Sequence, residues 1–178
     1  ADNNTGTIYG KRIRGYVTDS KIERCWVQDV KDIGILLHQY SDKNLVASCT
    51  VQNCGGNGIL VGGSAIGNII SNNVCYANTG AGIGTTRGRN IIEGNICYGT
   101  VLDGSSLSYG IGVGSDGNVI SGNHCYDNET AEIYIGLAQF NNTVSNNLCQ
   151  TGDGDGILCR GWHGSIVGNT VYRMDKHG

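Results

Sequence analysis

Glu132 and Asp155 are the carboxylates best suited to act as a pair, provided that the segments EIYIG (132–136) and DGILCR (155–160) lie side by side. Paired carboxylates cleave glycosidic bonds: about 5 to 5.5 Å apart one of them serves as nucleophile, and about 6.5 to 9.5 Å apart a water fits between them. Arg160 can grip an anionic sugar carboxylate through two parallel hydrogen bonds, and Tyr134 can stack on a ring or donate to it. Trp162 adds a stacking face, and His163 is an alternative acid or base. Asp103 and Tyr109, in the stretch TVLDGSSLSYG, are further polar candidates. The competing reading makes Glu132 and Asp155 ordinary solvated turn residues, so the choice rests on how the chain places them.

The placement is written in a repeat. GNIISNNVCYANTGAGIGTTRGR, residues 67–89, states a template that the chain rewrites before and after it. Ile22, Val46, Ile70, Ile92, Ile120, Val144 and Ile166 fall in one column at steps of 24, 24, 22, 28, 24 and 22 residues. A period of this size predicts a solenoid, in which each repeat buries its apolar face only against its neighbours. The apolar runs are short, rich in Ile and Val, and bounded by Gly and Asn, which makes them strands and not helices. The expectation is an all-β solenoid of about seven coils, three short strands per coil, in a single domain over residues 1–178. Aligning Ile133 with Ile157 then sets Glu132 against Gly156 and Asp155 one residue away, roughly 5 to 8 Å off at the spacing of paired strands.

Composition narrows the alternatives. Thirty glycines with no proline suit a chain that turns every few residues at positive φ, and not a disordered linker. A net charge of −3 with scattered basic residues leaves no footprint for nucleic acid or an anionic membrane surface, no apolar run approaches a bilayer span, and ADNNTG does not read as a secretory signal. Of the eight cysteines, Cys75, Cys97, Cys125 and Cys149 share a column with Val27, Val51 and Val171, so they are expected as small buried hydrophobes with reduced thiols. A lateral disulfide from Cys25 to Cys49 is the alternative for that pair. No metal or other cofactor is expected: CxxC pairs are missing, and DGDG at 153–156 lacks the Glu that closes a calcium loop.

Two Asn columns accompany the apolar ones: Asn73, Asn95, Asn123, Asn147 and Asn169, and Asn44, Asn68, Asn90, Asn118 and Asn142. Stacked Asn side chains can hydrogen-bond from coil to coil at the spacing of paired strands. This pattern, N-x-I-x-x-N-x-I-x-x-N-x-x-G-I over residues 20–175, resembles the right-handed parallel β-helix of the pectate-lyase-like superfamily. The resemblance implies that the Ile70 strand is the second of a coil, Cys75 the third, and Gly82–Thr86 the first of the next. It also implies that a sugar chain would lie across the outer face of the first-strand sheet. Counting Ile35, Ile59, Ile83, Ile111, Ile133 and Ile157 as inward, strict alternation turns Gly34, Gly58, Gly82, Gly110, Glu132 and Gly156 outward. The next outward column is Leu36, Leu60, Gly84, Gly112, Tyr134 and Leu158, and the third is His38, Gly62, Thr86, Gly114, Gly136 and Arg160. Tyr76, Tyr98 and Tyr126 form an outward column of their own. The implied partner is a polysaccharide outside the cell or at a virion surface, bound and possible to cleave by a lyase, hydrolase or tailspike-like protein. The signatures NTD, GHG, RIK and DPH of the superfamily's named enzymes do not occur. The alternative is a structural shaft or adhesin, a homo-oligomer joined through its glycine-rich face.

Overall fold

The structure is a computed structural model and describes residues 17–101 and 108–174. These residues contain strands and no helix. Three parallel sheets run along the molecule, two of seven strands and one of six, and each strand pairs with its counterparts one coil before and one coil after. The described residues therefore make about six full turns of a parallel β-helix, with the partial coil before Val17 outside the described residues.

The first sheet, here the ladder sheet, holds Lys21–Glu23, Leu45–Ala47, Ile69–Ser71, Ile91–Glu93, Val119–Ser121, Thr143–Ser145 and Ser165–Val167. The second, the tyrosine sheet, holds Trp26–Gln28, Thr50–Gln52, Val74–Tyr76, Ile96–Tyr98, His124–Tyr126, Leu148–Gly152 and Thr170–Met174. The third, the glycine sheet, holds Ile35–Leu37, Ile59–Val61, Ala81–Thr85, Tyr109–Val113, Ala131–Ile135 and Asp155–Cys159. In the first two sheets a three-residue strand can turn only its middle residue inward. Val46, Ile70, Ile92 and Ile120 do so in one and Val51, Cys75, Cys97 and Cys125 in the other, all fully buried. Register is residue on residue, Ile70 with Ile92 and Cys97 with Cys125.

The corner between these two sheets is filled by the first Asn column. Asn95 donates its backbone N–H to Asn123 Oδ1 at 2.9 Å and its Nδ2 to the same oxygen at 3.0 Å, while Nδ2 also reaches Ile70 O at 2.9 Å. Asn123 repeats the pattern toward Asn147 and Ile92. The second column does likewise, from Asn44 to Asn68, Asn90, Asn118 and Asn142. Left-handed backbone belongs to the residue before each rung of the first column: Asn72, Gly94, Gly122, Asn146 and Gly168 have φ between 54° and 67°. The two residues of this turn thus divide the work, one bending the chain and the other satisfying its buried amides.

All eight cysteines are free, and Cys75, Cys97, Cys125 and Cys149 are buried in the aliphatic column. The Cys25–Cys49 disulfide is not formed; Cys49 Sγ donates to Ala47 O at 3.3 Å. Burial pushes the Cys49 and Cys54 thiols up to about 11 and Cys97 well above the thiol range, so none of these is a ready nucleophile. Cys159 pairs with Ile135 in an inward column, yet it is exposed, because among the described residues no further strand covers that end of the sheet. A thiol reagent applied to the native protein should modify Cys159 first and leave the four stacked cysteines untouched until unfolding; mass spectrometry of the labelled sites reads the order.

Asn123→Leu leaves the Asn95 N–H without its acceptor and takes one partner from Ile92 O and one from the Asn95 amide, which keeps Ile70 O and Glu93 O. With an orphaned buried group costing about 1 to 3 kcal/mol, the loss should be about 2 kcal/mol. Thermal melts should place that variant about 4 °C or more below one carrying Glu93→Ala on the exposed face; equal melting temperatures would refute the ladder.

Candidate functional site

The outer face of the glycine sheet is narrower than alternation predicts, since the Gly–Ile step breaks the alternation and puts both residues inside. A Cβ on Gly34 would come within 2.5 Å of Val51, on Gly58 within 2.7 Å of Asn78 Nδ2, and on Gly110 within 2.8 Å of Asn128 Nδ2. The corner is already occupied by a ladder amide, and glycine is the residue that leaves it room. Gly34, Gly58, Gly82, Gly110 and Gly156 are therefore not part of the outer floor.

Glu132 stands in the same inward column, which corrects its predicted outward placement. It is 0% exposed. Its carboxylate accepts from Asn128: the backbone N–H bonds Oε1 at 3.2 Å and Nδ2 bonds Oε2. The reason lies one coil further on. A third ladder, which the sequence reading did not identify, joins Cys54 N–H to Asn78 Oδ1 at 3.0 Å and Thr100 N–H to Asn128 Oδ1 at 3.2 Å. Extending the register of Tyr126 with Gln150 by two residues sets Gly152 against Asn128, where the next rung belongs. Gly152 has no side chain to offer, and a Cβ there would collide with Glu132 Oε1. Glu132 thus folds back within its own coil to supply the missing acceptor. It is enclosed on the inward side of the sheet and not on the outer face where alternation puts it.

The true outward columns begin one residue earlier. Ala81, Tyr109 and Ala131 make a small outer apolar cluster against Tyr134 and Leu158, and Asp155, half-buried, follows Ala131 in register. Tyr109 lies flat on the sheet with its ring stacked on Tyr134, centroids 4.4 Å apart and planes 7° apart. The ring covers Gly112, where a Cβ would stand 3.0 Å from Tyr109 Cδ2, so glycine here makes space for an aromatic ring. Burial, with help from Tyr134, pushes the Tyr109 phenol up to about 12, and the positive charge of Arg160 pulls the other way. Tyr109 and Tyr134 therefore meet on the outer face, with Arg160 acting electrostatically on the Tyr109 phenol and Leu158 and Asp155 bordering the pair.

Trp162 and His163 lie apart from this group, in the turn that leaves the sheet. Trp162 is 61% exposed and forms a parallel bridge with Phe140, rings 6.2 Å apart. His163 stacks on Phe140, centroids 6.2 Å apart and planes 18° apart. Phe140 and the exposed Leu137 escaped the sequence reading. The available signal was the 22-residue step from Phe140 to Trp162, one repeat. Asp103 lies outside the described residues. The tyrosine column proves to be a stack, Tyr76 on Tyr98 at 5.0 Å and Tyr98 on Tyr126 at 4.7 Å with planes within 4°. The rings cover one another's faces, so that Tyr98, the middle one, has only its edge to offer a sugar. Among the described residues no group of three His, Cys, Asp or Glu side chains is arranged to hold a metal ion.

Fold and face together define a parallel β-helix with an aromatic and charged patch on one sheet. The chain matches the family described as right handed beta helix region over residues 1–113 and 34–178, and it belongs to that family. No curated protein and no solved structure matches it.

The relocated rung makes its own stability prediction. Glu132→Gly alone orphans the Asn128 N–H and takes one acceptor from its amide, which keeps Cys97 O and Tyr126 O, and should cost about 1 to 3 kcal/mol. Adding Gly152→Asn restores an amide acceptor from the next coil; with Glu132 gone, its Cβ meets the flexible end of Met174 at 3.1 Å and Asn128 O at 3.3 Å, which need shift by only a few tenths of an ångström. Denaturant melts of the four proteins in this cycle should show the double variant recovering most of the loss; strictly additive losses would contradict the rung.

Proposed function

We propose that the chain binds a polysaccharide across the outer face of the glycine sheet, on the coils from Tyr109 to Arg160, and acts by binding and not by cleavage. The observation that carries this reading is the Tyr109–Tyr134 patch with Arg160 acting on it. A sugar ring has apolar C–H faces and a rim of hydroxyls. Tyr134 and Leu158 offer half-buried apolar area, while Arg160 and Asp155 offer a charged donor and acceptor beside it. Gly114 and Gly136 keep the adjoining floor low, so an extended chain can approach the backbone. Glu132, enclosed in the ladder corner, is not offered to a sugar lying on this face. Such a binder suits a cell-surface or virion-surface role, as an adhesin or receptor-binding protein.

A second reading, a self-associating structural shaft, is favoured by another face. The outward residues of the tyrosine sheet are Trp26, Thr50, Val74, Ile96, His124, Leu148 and Thr170 in one column, and Gln28, Gln52, Tyr76, Tyr98, Tyr126, Gln150 and Tyr172 in the other. No charged residue stands among them, and charge is depleted at the centre of protein interfaces.

Glycan-array screening followed by calorimetry with the best polysaccharide tests the first reading. Tyr134→Ala and Arg160→Ala should each weaken binding about thirtyfold, as truncating a central contact costs about 2 kcal/mol, while Tyr98→Ala leaves affinity unchanged. Binding that is indifferent to Tyr134 and Arg160, or no glycan bound at all together with a dimeric mass in solution, would favour the shaft.

A further inference from the structure

The rung supplied by Glu132 differs from every amide rung in one chemical respect: it can ionise. Its carboxyl group is enclosed, and the donors bonded to it are the two of Asn128. Facing it are Asp127, a like charge from the adjoining turn, and the Cys149 thiol of the tyrosine sheet, itself raised by burial. Toward solvent the wall is Gly152, the thinnest residue available. Beyond it lies a depression of about 350 Å³, bordered by Asp127, Glu129, Asp153 and Arg173.

We propose that Glu132 is a pH-sensitive latch on the last coil: protonated, it closes the Gly152 corner, and ionised, it draws water through that corner and releases Asp155–Cys159 and Thr170–Met174 from the coil before them. The chemistry is a single proton equilibrium, with the proton leaving to bulk water as the corner opens. Burial sets its direction, pushing the carboxyl from 4.5 up to about 8 against the opposing pull of the Asn128 hydrogen bonds, with Asp127 adding to the rise. A folded value above the unfolded one means that the latch stabilises fully below about pH 4.5. Its contribution shrinks as pH rises toward 8, because the opened state gives up a proton that the closed state keeps. This sign is the reverse of a salt-bridged carboxylate, which stabilises only once ionised.

Native-state hydrogen exchange on the whole chain, corrected for the intrinsic pH dependence of exchange, tests the latch. Protection of amides in Asp155–Cys159 and Thr170–Met174 should fall about tenfold per pH unit between pH 5 and 8, the slope of one proton. A carboxyl-carbon NMR titration should place the Glu132 midpoint far above the ordinary carboxylate range. In the Glu132→Gly, Gly152→Asn double variant the slope should vanish, because an amide rung does not titrate. Glu132→Gln, which keeps one acceptor and no charge, should lose the slope as well if the double variant does not fold. An ordinary midpoint for Glu132, a flat wild type, or the same slope in wild type and variants would each overturn the proposal.

Discussion

The interaction on which this structure depends is the hydrogen bond from a buried turn amide to the Asn oxygen of the next coil. A solenoid that turns every few residues drives backbone corners into its own interior, where water cannot satisfy them. An unpaired buried N–H or C=O costs as much as a lost hydrogen bond. Asn answers both needs at once: Oδ1 accepts the N–H of the coil before, and Nδ2 donates to a strand carbonyl such as Ile70 O or Ile92 O. Each rung completes the one beneath it, so the coils are held in register residue on residue and the aliphatic columns stack without offset.

That constraint propagates outward. Where the third ladder occupies a corner, the residue before the inward Ile of the glycine sheet has no room for a Cβ, and one added to Gly58 or Gly110 would fall within 3 Å of a ladder amide. Both Gly and the following Ile then turn inward, and the outer face of that strand starts one residue earlier than alternation would place it. The same geometry explains Glu132. It is the one large residue in a glycine column, tolerated because its side chain performs the ladder's function at the coil where Gly152 leaves the rung empty.

The solenoid, its period, the two main Asn columns and the inward cysteines were legible in the sequence because each is a repeated residue type at a fixed step. What was not legible is what the repeat varies. The third ladder reads Cys54, Asn78, Thr100, Asn128 and then glycine, so no single residue type marks it. Alternation misplaced Glu132 because period two holds within a strand and fails at the bend that begins one. Tyr134 and Arg160 came out on the outer face because they lie past that bend, where alternation resumes. Tyr109 was reached by a different route, as part of an enlarged turn, and the structure shows it lying down over Gly112 instead of overhanging the sheet as a loop residue would.

The division between ladder and face also explains why the candidate site lies where it does. Inward columns answer to the coils above and below, so a change there is felt along the stack. Outward residues of a parallel sheet meet only their lateral neighbours, and a column can pass from Leu60 through Gly84 and Gly112 to Tyr134 without disturbing the core. The outer patch needs only one accommodation from the backbone, the glycine beneath Tyr109. A function added to such a scaffold should therefore appear as an interruption of an outward column while the inward columns run on unchanged. The chain shows that arrangement at Tyr109, Tyr134 and Arg160, above the continuous row of Ile111, Ile133 and Ile157.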